Sequence, residues 1–366
     1  MTQGVVMTNV SGQITPLDKS ATIFITGATG FLGTSLTRQL LADGWHVRGM
    51  SRSKPKLPLG LDCDVKDVWE HPNFEHVSGD VKDVDSLTRG MTGCKYVLSL
   101  AGYARNYARD PKVFFDVNVD GMRNVLNVAN QLGVEKIVWV STIVSFGPTP
   151  KGQICDETLA RITDKYYTEY EESKSVAEKE ALLFAKRGTP LVIVNPTRIY
   201  GPGQLSEGNA MAGLIRDYRR GTAPFLLNYG VNYGNYGYVE DVARGVFLAL
   251  ERGRIGERYI LGGDNASLLE LYRMIDKIDG KKHCKLPMYK FMPLFVAHIL
   301  KLWARLTGVY PRITPGWVRT FLVDWKYSCD KAKKELGYAP VPLEQGLRST
   351  IEWLDRIKDD EKNKKK

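Results

Sequence analysis

The run Thr26-Gly27-Ala28-Thr29-Gly30-Phe31-Leu32-Gly33 constrains this chain more than any other. It directly follows Ala21–Thr26 (ATIFIT), an apolar run that reads as a buried strand, and it opens Phe31–Ala42, which reads as a helix. A glycine-rich hexapeptide alone is weak evidence. Placed between a strand and a helix, it has the context in which a dinucleotide pyrophosphate is bound. Gly27 permits the tight turn, Gly30 lets the backbone approach the pyrophosphate, and Gly33 lets the helix pack closely on the strand. Thr29, Phe31 and Leu32 are assigned to the same cofactor site. The helix start then faces the phosphates with unpaired N–H groups and a partial positive charge.

Beyond the loop, apolar strands alternate with helical stretches. His46–Met50, Phe74–Val77, Tyr96–Leu100, Lys136–Val140 and Leu191–Asn195 read as strands, with helices at about 116–132 and 169–186. Such alternation implies right-handed βαβ units and a parallel sheet covered on both faces. The regularity ends near Pro196, where Gly/Pro/Tyr-rich loops and mixed helices begin. The expected fold is therefore α/β, a doubly wound parallel (Rossmann) sheet with a smaller mixed C-terminal substrate domain. We divide the 366 residues into a loose leader (1–20), a dinucleotide-binding domain (21–197, with 235–262 returning to it), a substrate domain (198–234 and 263–358) and a charged tail (359–366).

With 43% hydrophobic and 25% charged residues, the composition excludes disordered and collagen-like chains. Five cysteines lie far apart and form no C-x-x-C pair, and the histidines show no metal-ligand spacing, so neither a disulfide framework nor a metal is expected. The leader lacks a basic segment followed by an apolar core, which points to a cytoplasmic protein rather than a secreted one. The net charge of +10 is scattered among acids, and no nucleic-acid-binding motif accompanies it. The greasiest stretch, Leu294–Thr307, is too short to span a bilayer. Its His298, Lys301 and Arg305 form one polar stripe on a helix. Two readings stand for it: a helix packed over the second domain or a pocket, and a peripheral membrane contact.

The cofactor's identity is read at the second strand's end. NAD calls for a carboxylate there, and NADP for an arginine. The strand ends Val47-Arg48-Gly49-Met50-Ser51-Arg52 with no acid at its tip. Arg52, helped by Ser51 and Lys54, suits a phosphate because its planar fork binds two oxygens at once. NADP(H) is favoured, with NAD(H) the alternative. Asp80 follows the third strand, where a carboxylate accepts from the adenine amino group. Val81, Ala101 and Pro196, also at or beyond strand ends, complete the cofactor set.

Tyr170 and Lys174 are four apart on a predicted helix and so share a face. The ammonium is expected to lower the phenol's pKa and to hold a ribose hydroxyl. The phenol then gives a proton to a carbonyl oxygen, or takes one from an alcohol, while hydride moves at the nicotinamide. Tyr327/Lys331 has the same spacing. Tyr170 is preferred because it opens the helix after the strand Lys136–Val140, whose end carries Ser141-Thr142 with a hydroxyl for the substrate oxygen.

TGATGFLG at 26–33, GDV at 79–81, NVDGMRNVL at 118–126, VSTIVSFG at 140–147, YEESKSVAE at 170–178, NPTRIYGPG at 195–203 and YVEDVA at 238–243 together resemble the extended short-chain dehydrogenase/reductases, or NAD-dependent epimerase/dehydratase superfamily. The resemblance implies a catalytic set of Thr142, Tyr170 and Lys174, with Asn118 on the helix behind the site sharing in proton relay. The strand end VRGMSR is similar to that of dihydroflavonol reductase-like enzymes, whose arginine implies NADP. The C-terminal run resembles hopanoid-associated epimerase-like and 3-beta-hydroxysteroid dehydrogenase-like branches. Nucleotide-sugar epimerases carry Asn where this chain has Arg198, and a pyrophosphate-binding arginine about where Gly234 stands.

The leading expectation is an NADP(H)-dependent reductase or dehydrogenase acting on a carbonyl or secondary alcohol of an apolar small molecule. The alternatives are a sugar epimerase or dehydratase with tightly held NAD, and a dinucleotide-binding protein without turnover. Tyr103, Arg105, Phe146 and Arg198 are the candidate substrate residues, and the resemblance also allows a homodimer.

Overall fold

Unbroken apolar runs become the strands of a parallel sheet because both faces are covered. The computed structural model describes residues 16–53, 66–163, 165–311 and 313–363. Most of the leader, Lys54, Cys63, Arg312 and the last three lysines lie outside the described residues.

The first half alternates β1 (Thr22–Thr26), α1 (Phe31–Ala42), β2 (His46–Ser51), α2 (Lys66–Trp69), β3 (Phe74–Ser78), α3 (Val84–Met91) and β4 (Tyr96–Ser99). It continues with α4 (Lys112–Phe115), a π-helical turn (Asp116–Asp120), α5 (Gly121–Gln131), β5 (Lys136–Val140), α6 (Glu169–Lys186) and β6 (Leu191–Pro196). These six strands end within one residue of the expected bounds, and α6 matches at both ends. The helix expected over 116–132 instead starts at Lys112 and passes through the π turn. Helix α3 went unforeseen: its eight residues are strongly amphipathic, but too few for a periodic signal to stand out.

The second half holds β7 (Arg198–Tyr200), α7 (Ala210–Arg219), β8 (Phe225–Leu227), β9 (Tyr233–Tyr238), α8 (Val239–Arg252), β10 (Arg258–Leu261) and β11 (Asp264–Ser267). After these come α9 (Leu268–Asp279), β12 (Leu286–Met288), α10 (Phe291–Thr307), α11 (Pro315–Thr320), α12 (Asp330–Leu336) and α13 (Leu343–Asn363).

The main sheet runs β10-β6-β5-β4-β1-β2-β3, and every pairing in it is parallel. Helices α1, α8 and α12 cover one face, and α3, α5 and α6 the other. Strand order reverses between β1 and β4, so the loops after these strands part and leave a crevice at their carboxyl ends. A small sheet, β11-β9-β7, and a third apolar core among α7, α9 and α13 form the other wall of that crevice.

Candidate active site

The glycine loop closes on itself too tightly for side chains. Gly27 has φ +74°, and a Cβ there would lie 2.9 Å from the Ala101 backbone nitrogen. At Gly33 a Cβ would lie 2.1 Å from the Gly27 carbonyl oxygen. The third glycine therefore lets α1 start directly against the turn that ends β1. Gly30 caps α1 with no side-chain hydrogen bond, and no acid occupies the first turn. The helix end thus offers its N–H groups to an anion, and the residues present fit dinucleotide phosphates.

One cleft of about 740 Å³ runs from this loop and Arg52 to Trp317, Phe321 and Trp325. It brings together Gly27, Gly30, Phe31, Leu32, Gly33, Arg52, Tyr103, Arg105, Thr142, Tyr170, Lys174, Pro196 and Arg198. The remaining predicted residues are not part of its lining. Thr29 turns its carbonyl to Gln204, and Ala101 lies under Gly27. Asp80 accepts from the Lys82 N–H at 3.0 Å, and Val81 is buried against Gly121. Ser51 donates to the Ser53 carbonyl at 2.7 Å and meets His76 at 2.9 Å.

Phe146 is the clearest displacement. The chain leaves β5 through a short 3₁₀ turn at Ile143–Ser145, which carries Phe146 into a core with Ile260, Trp325 and Tyr327. Its ring lies beneath the Arg258 guanidinium at 4.4 Å, so it is not a wall of the cleft. Tyr327 is buried too, donating its hydroxyl to the Gly147 carbonyl, while Lys331 binds Glu257.

The hydroxyls after β5 divide their work. Ser141 donates to buried Glu178, which also receives Ser145 and Asn195 at 2.6 Å each and Arg258 at 3.1 Å. Thr142 Oγ accepts the Val144 N–H at 3.4 Å and lies beside the Tyr170 phenol, whose pKa it lowers. Thr168 caps α6 by accepting from the Glu171 N–H at 3.1 Å, which places Tyr170 in the first turn at the cleft. Asn118, buried in the π turn, donates to Ser173 at 2.9 Å and accepts the Tyr103 N–H at 2.8 Å. Ser173 in turn donates to the Tyr170 carbonyl at 2.9 Å. Asn118 thereby joins α6 to the loop after β4 without reaching the cleft.

Burial pushes the half-buried Tyr170 phenol up to about 12, against a smaller lowering by Thr142. Burial brings the Lys174 ammonium down to about 8, opposed by the Glu178 charge. The expected lowering of the phenol by the ammonium is not what this arrangement produces. Lys174 donates to the Val140 carbonyl at 2.9 Å and stands over the Trp139 ring at 4.4 Å. Its charge is directed at β5 rather than at the phenol.

Several cleft residues escaped the sequence reading. Gln204 donates to the Thr29 carbonyl at 2.8 Å, tying the segment after β7 to the glycine loop. Met211, Leu214, Trp317, Phe321 and Trp325 give the far end an apolar wall. The signal for part of this was present: Thr314 caps α11 with Pro315 at its first turn, and a helix there sets Trp317 and Phe321 on one face, rings 4.6 Å apart. Arg198 donates to the Thr320 carbonyl at 2.9 Å and lies over the Phe321 ring at 4.5 Å. A Cβ on Gly234 would come within 2.6 Å of that guanidinium, so the glycine makes room for Arg198.

A family model described as the NAD dependent epimerase/dehydratase family matches residues 23–262. The chain belongs to this family. Membership makes it an enzyme of the extended short-chain dehydrogenase/reductase type, dependent on a nicotinamide dinucleotide. It is 31% identical over 335 residues to the "Putative dihydroflavonol 4-reductase" of Synechocystis sp., covering 90% of this chain and 94% of that one. It is 27% identical over 340 residues to "Sterol demethylase protein B" of Methylococcus capsulatus, covering 91% and 98%. The crystal structure of gox2253 superposes with a TM-score of 0.75 at 32% identity, covering 92% of this chain and 98% of the other.

Proposed function

We propose that this epimerase/dehydratase family member is an NADP(H)-dependent reductase or dehydrogenase that moves a hydride between nicotinamide and a carbonyl or secondary alcohol of an apolar small molecule. The contrast between the two ends of the cleft carries the reading. Exposed Arg52 stands at the glycine-loop end, and Trp317, Phe321, Trp325, Met211 and Leu214 wall the other, with Thr142, Tyr170 and Lys174 between them. A planar guanidinium suits a ribose phosphate, and an aromatic wall suits a substrate with little to hydrogen-bond.

When bound, the nicotinamide supplies or takes up the hydride. The chain's own residues handle the proton. A phenol held well above neutrality stays protonated, so Tyr170 Oη gives its proton to the carbonyl oxygen during reduction. Thr142 Oγ holds the same oxygen beside it. Lys174 keeps a positive charge in the cleft at neutral pH and offers it to a ribose hydroxyl. Asn118 is a positioning residue, fixing α6 and Tyr103 relative to one another. The sterol in the Methylococcus relative's name is in line with an apolar substrate.

The sugar-nucleotide alternative rests on Arg198, a cation in the same cleft. That guanidinium already serves the Thr320 carbonyl and the Phe321 ring, which favours a structural share in the aromatic wall.

The test is to denature the purified protein, identify any released nucleotide, and titrate the emptied protein with NADPH and NADH. An empty site that prefers NADPH supports the proposal. Retained NAD without NADPH preference overturns it in favour of an epimerase or dehydratase. Carbonyl turnover should fall about 10²–10⁴-fold in Tyr170→Phe with NADPH affinity unchanged.

A further inference from the structure

Helix α10 is turned inside out by the standard of a water-facing helix. At about 100° per residue, Phe291, Phe295, Ile299, Leu302, Trp303 and Leu306 share one continuous arc, and each is between 51% and 75% exposed. The buried arc is narrow and carries small residues: Pro293, Ala297 and Ala304. The polar arc, His298, Lys301 and Arg305, faces a second cavity of about 650 Å³ beside the start of α6. Exposed apolar surface continues past both ends of the helix, at Tyr289 and Val309. A contiguous apolar patch of this extent marks an interaction surface.

We propose that this face docks the protein on an anionic lipid bilayer, with α10 lying in the interface plane. Three observations select that occupant. The chain from Leu286 to Tyr310 contains no acidic residue, while Lys290, Lys301 and Arg305 line one edge of the apolar arc. A second copy meeting this face symmetrically would bring like charges together, whereas anionic headgroups would neutralise them. The arc combines large apolar side chains with Trp303, and Tyr289 continues it before the helix; both rings suit the headgroup boundary. Among the described residues, no helix is long and apolar enough to cross a membrane, so the contact is one of lying on the surface. The cavity behind α10 adjoins the catalytic cleft, since Asn106 and Thr168 line both. Docking therefore places the cleft next to the lipid phase. The proposal does not depend on which reaction the cleft performs.

The experiment is vesicle flotation of the full chain with phosphatidylcholine alone and with phosphatidylcholine mixed with phosphatidylglycerol. The wild type should float with the anionic vesicles and much less with the neutral ones. Phe295→Ser/Trp303→Ser/Leu306→Ser changes only exposed side chains and should weaken partitioning at least about 100-fold. Lys301→Gln/Arg305→Gln should remove the preference for anionic lipid. Circular dichroism melts and NADPH titration, expected to match the wild type, show that the variants are folded. Wild-type protein that stays unbound in both mixtures overturns the proposal. Equal binding to both vesicle types overturns its electrostatic half. A dimer in vesicle-free solution that the triple variant dissolves, without lipid binding, assigns the face to a second copy instead.

Discussion

Replacing Lys174 by methionine should stabilise the cofactor-free protein while disabling it. The ammonium is buried, with Val140 O and the Trp139 ring as its near partners. Holding its pKa at about 8 rather than the ordinary 10.5 means that folding disfavours the charged form. At 1.36 kcal/mol per pH unit, that penalty is about 3 kcal/mol at neutral pH. Methionine removes it but leaves the Val140 carbonyl without its donor, which costs about 1–2 kcal/mol. The variant should therefore be about 1–2 kcal/mol more stable at pH 7. The sign of the pH dependence follows from the lowered pKa. Between about 8 and 10.5 the unfolded chain binds more protons than the folded one, so the wild type gains stability relative to the variant as pH rises. The advantage should shrink or reverse near pH 10. Urea unfolding at both pH values measures this, and turnover measured alongside should be lost. A variant less stable than the wild type at pH 7, or a gap that ignores pH, would refute the account of Lys174 as a strained functional group.

Arg52→Gln should weaken NADPH by about 10–100-fold and leave NADH within about twofold, measured by fluorescence titration; equal losses would remove Arg52 from the phosphate. Gly234→Ala puts a methyl where the Arg198 guanidinium lies, so KM for the carbonyl substrate should rise while NADPH affinity holds, and an unchanged KM would take Arg198 out of the substrate end. In the cofactor-free protein the Tyr170 phenol should be silent in an ultraviolet difference titration against Tyr170→Phe up to pH 10, because burial holds it near 12. Ionisation well below 10 would mean that Lys174 acts on the phenol after all.

The nucleotide half of the molecule was legible because its signals are local. A buried parallel strand reads as an apolar run, and the glycine loop must have its residue types wherever it occurs. Tyr170 and Lys174 were legible because helical spacing puts them on one face. Their proton affinities were not, since these depend on how deeply α6 is buried and on Lys174 choosing the Val140 carbonyl as partner. Phe146 was misplaced because a side chain's direction after a strand depends on the turn that follows, here a 3₁₀ turn capped by Thr142. The substrate wall was hidden for a different reason. Trp317, Phe321 and Trp325 share a cleft with Thr142 because the second layer packs across the crevice; their own segment signals a capped helix with Trp317 and Phe321 on one face, but not what that face meets.

That packing also links the two ends of the cleft. Gln204 leaves the segment after β7 to hold the Thr29 carbonyl of the glycine loop. In the same segment Glu207 accepts the Asn106 N–H at 3.1 Å, receives the Tyr310 hydroxyl, and pairs with Arg105 at 3.7 Å. The loop after β4, the glycine loop and the chain beyond α10 are therefore all fastened to residues 204–207. A substitution there that reshapes the substrate end also shifts the phosphate loop and the Tyr103–Arg105 wall. Residues 204–207 thus join the cofactor end to the substrate end, whereas Trp317 and Phe321 vary the apolar wall without touching the glycine loop. A change of substrate preference made at Trp317 or Phe321 should leave cofactor affinity in place. One made at Gln204 should not.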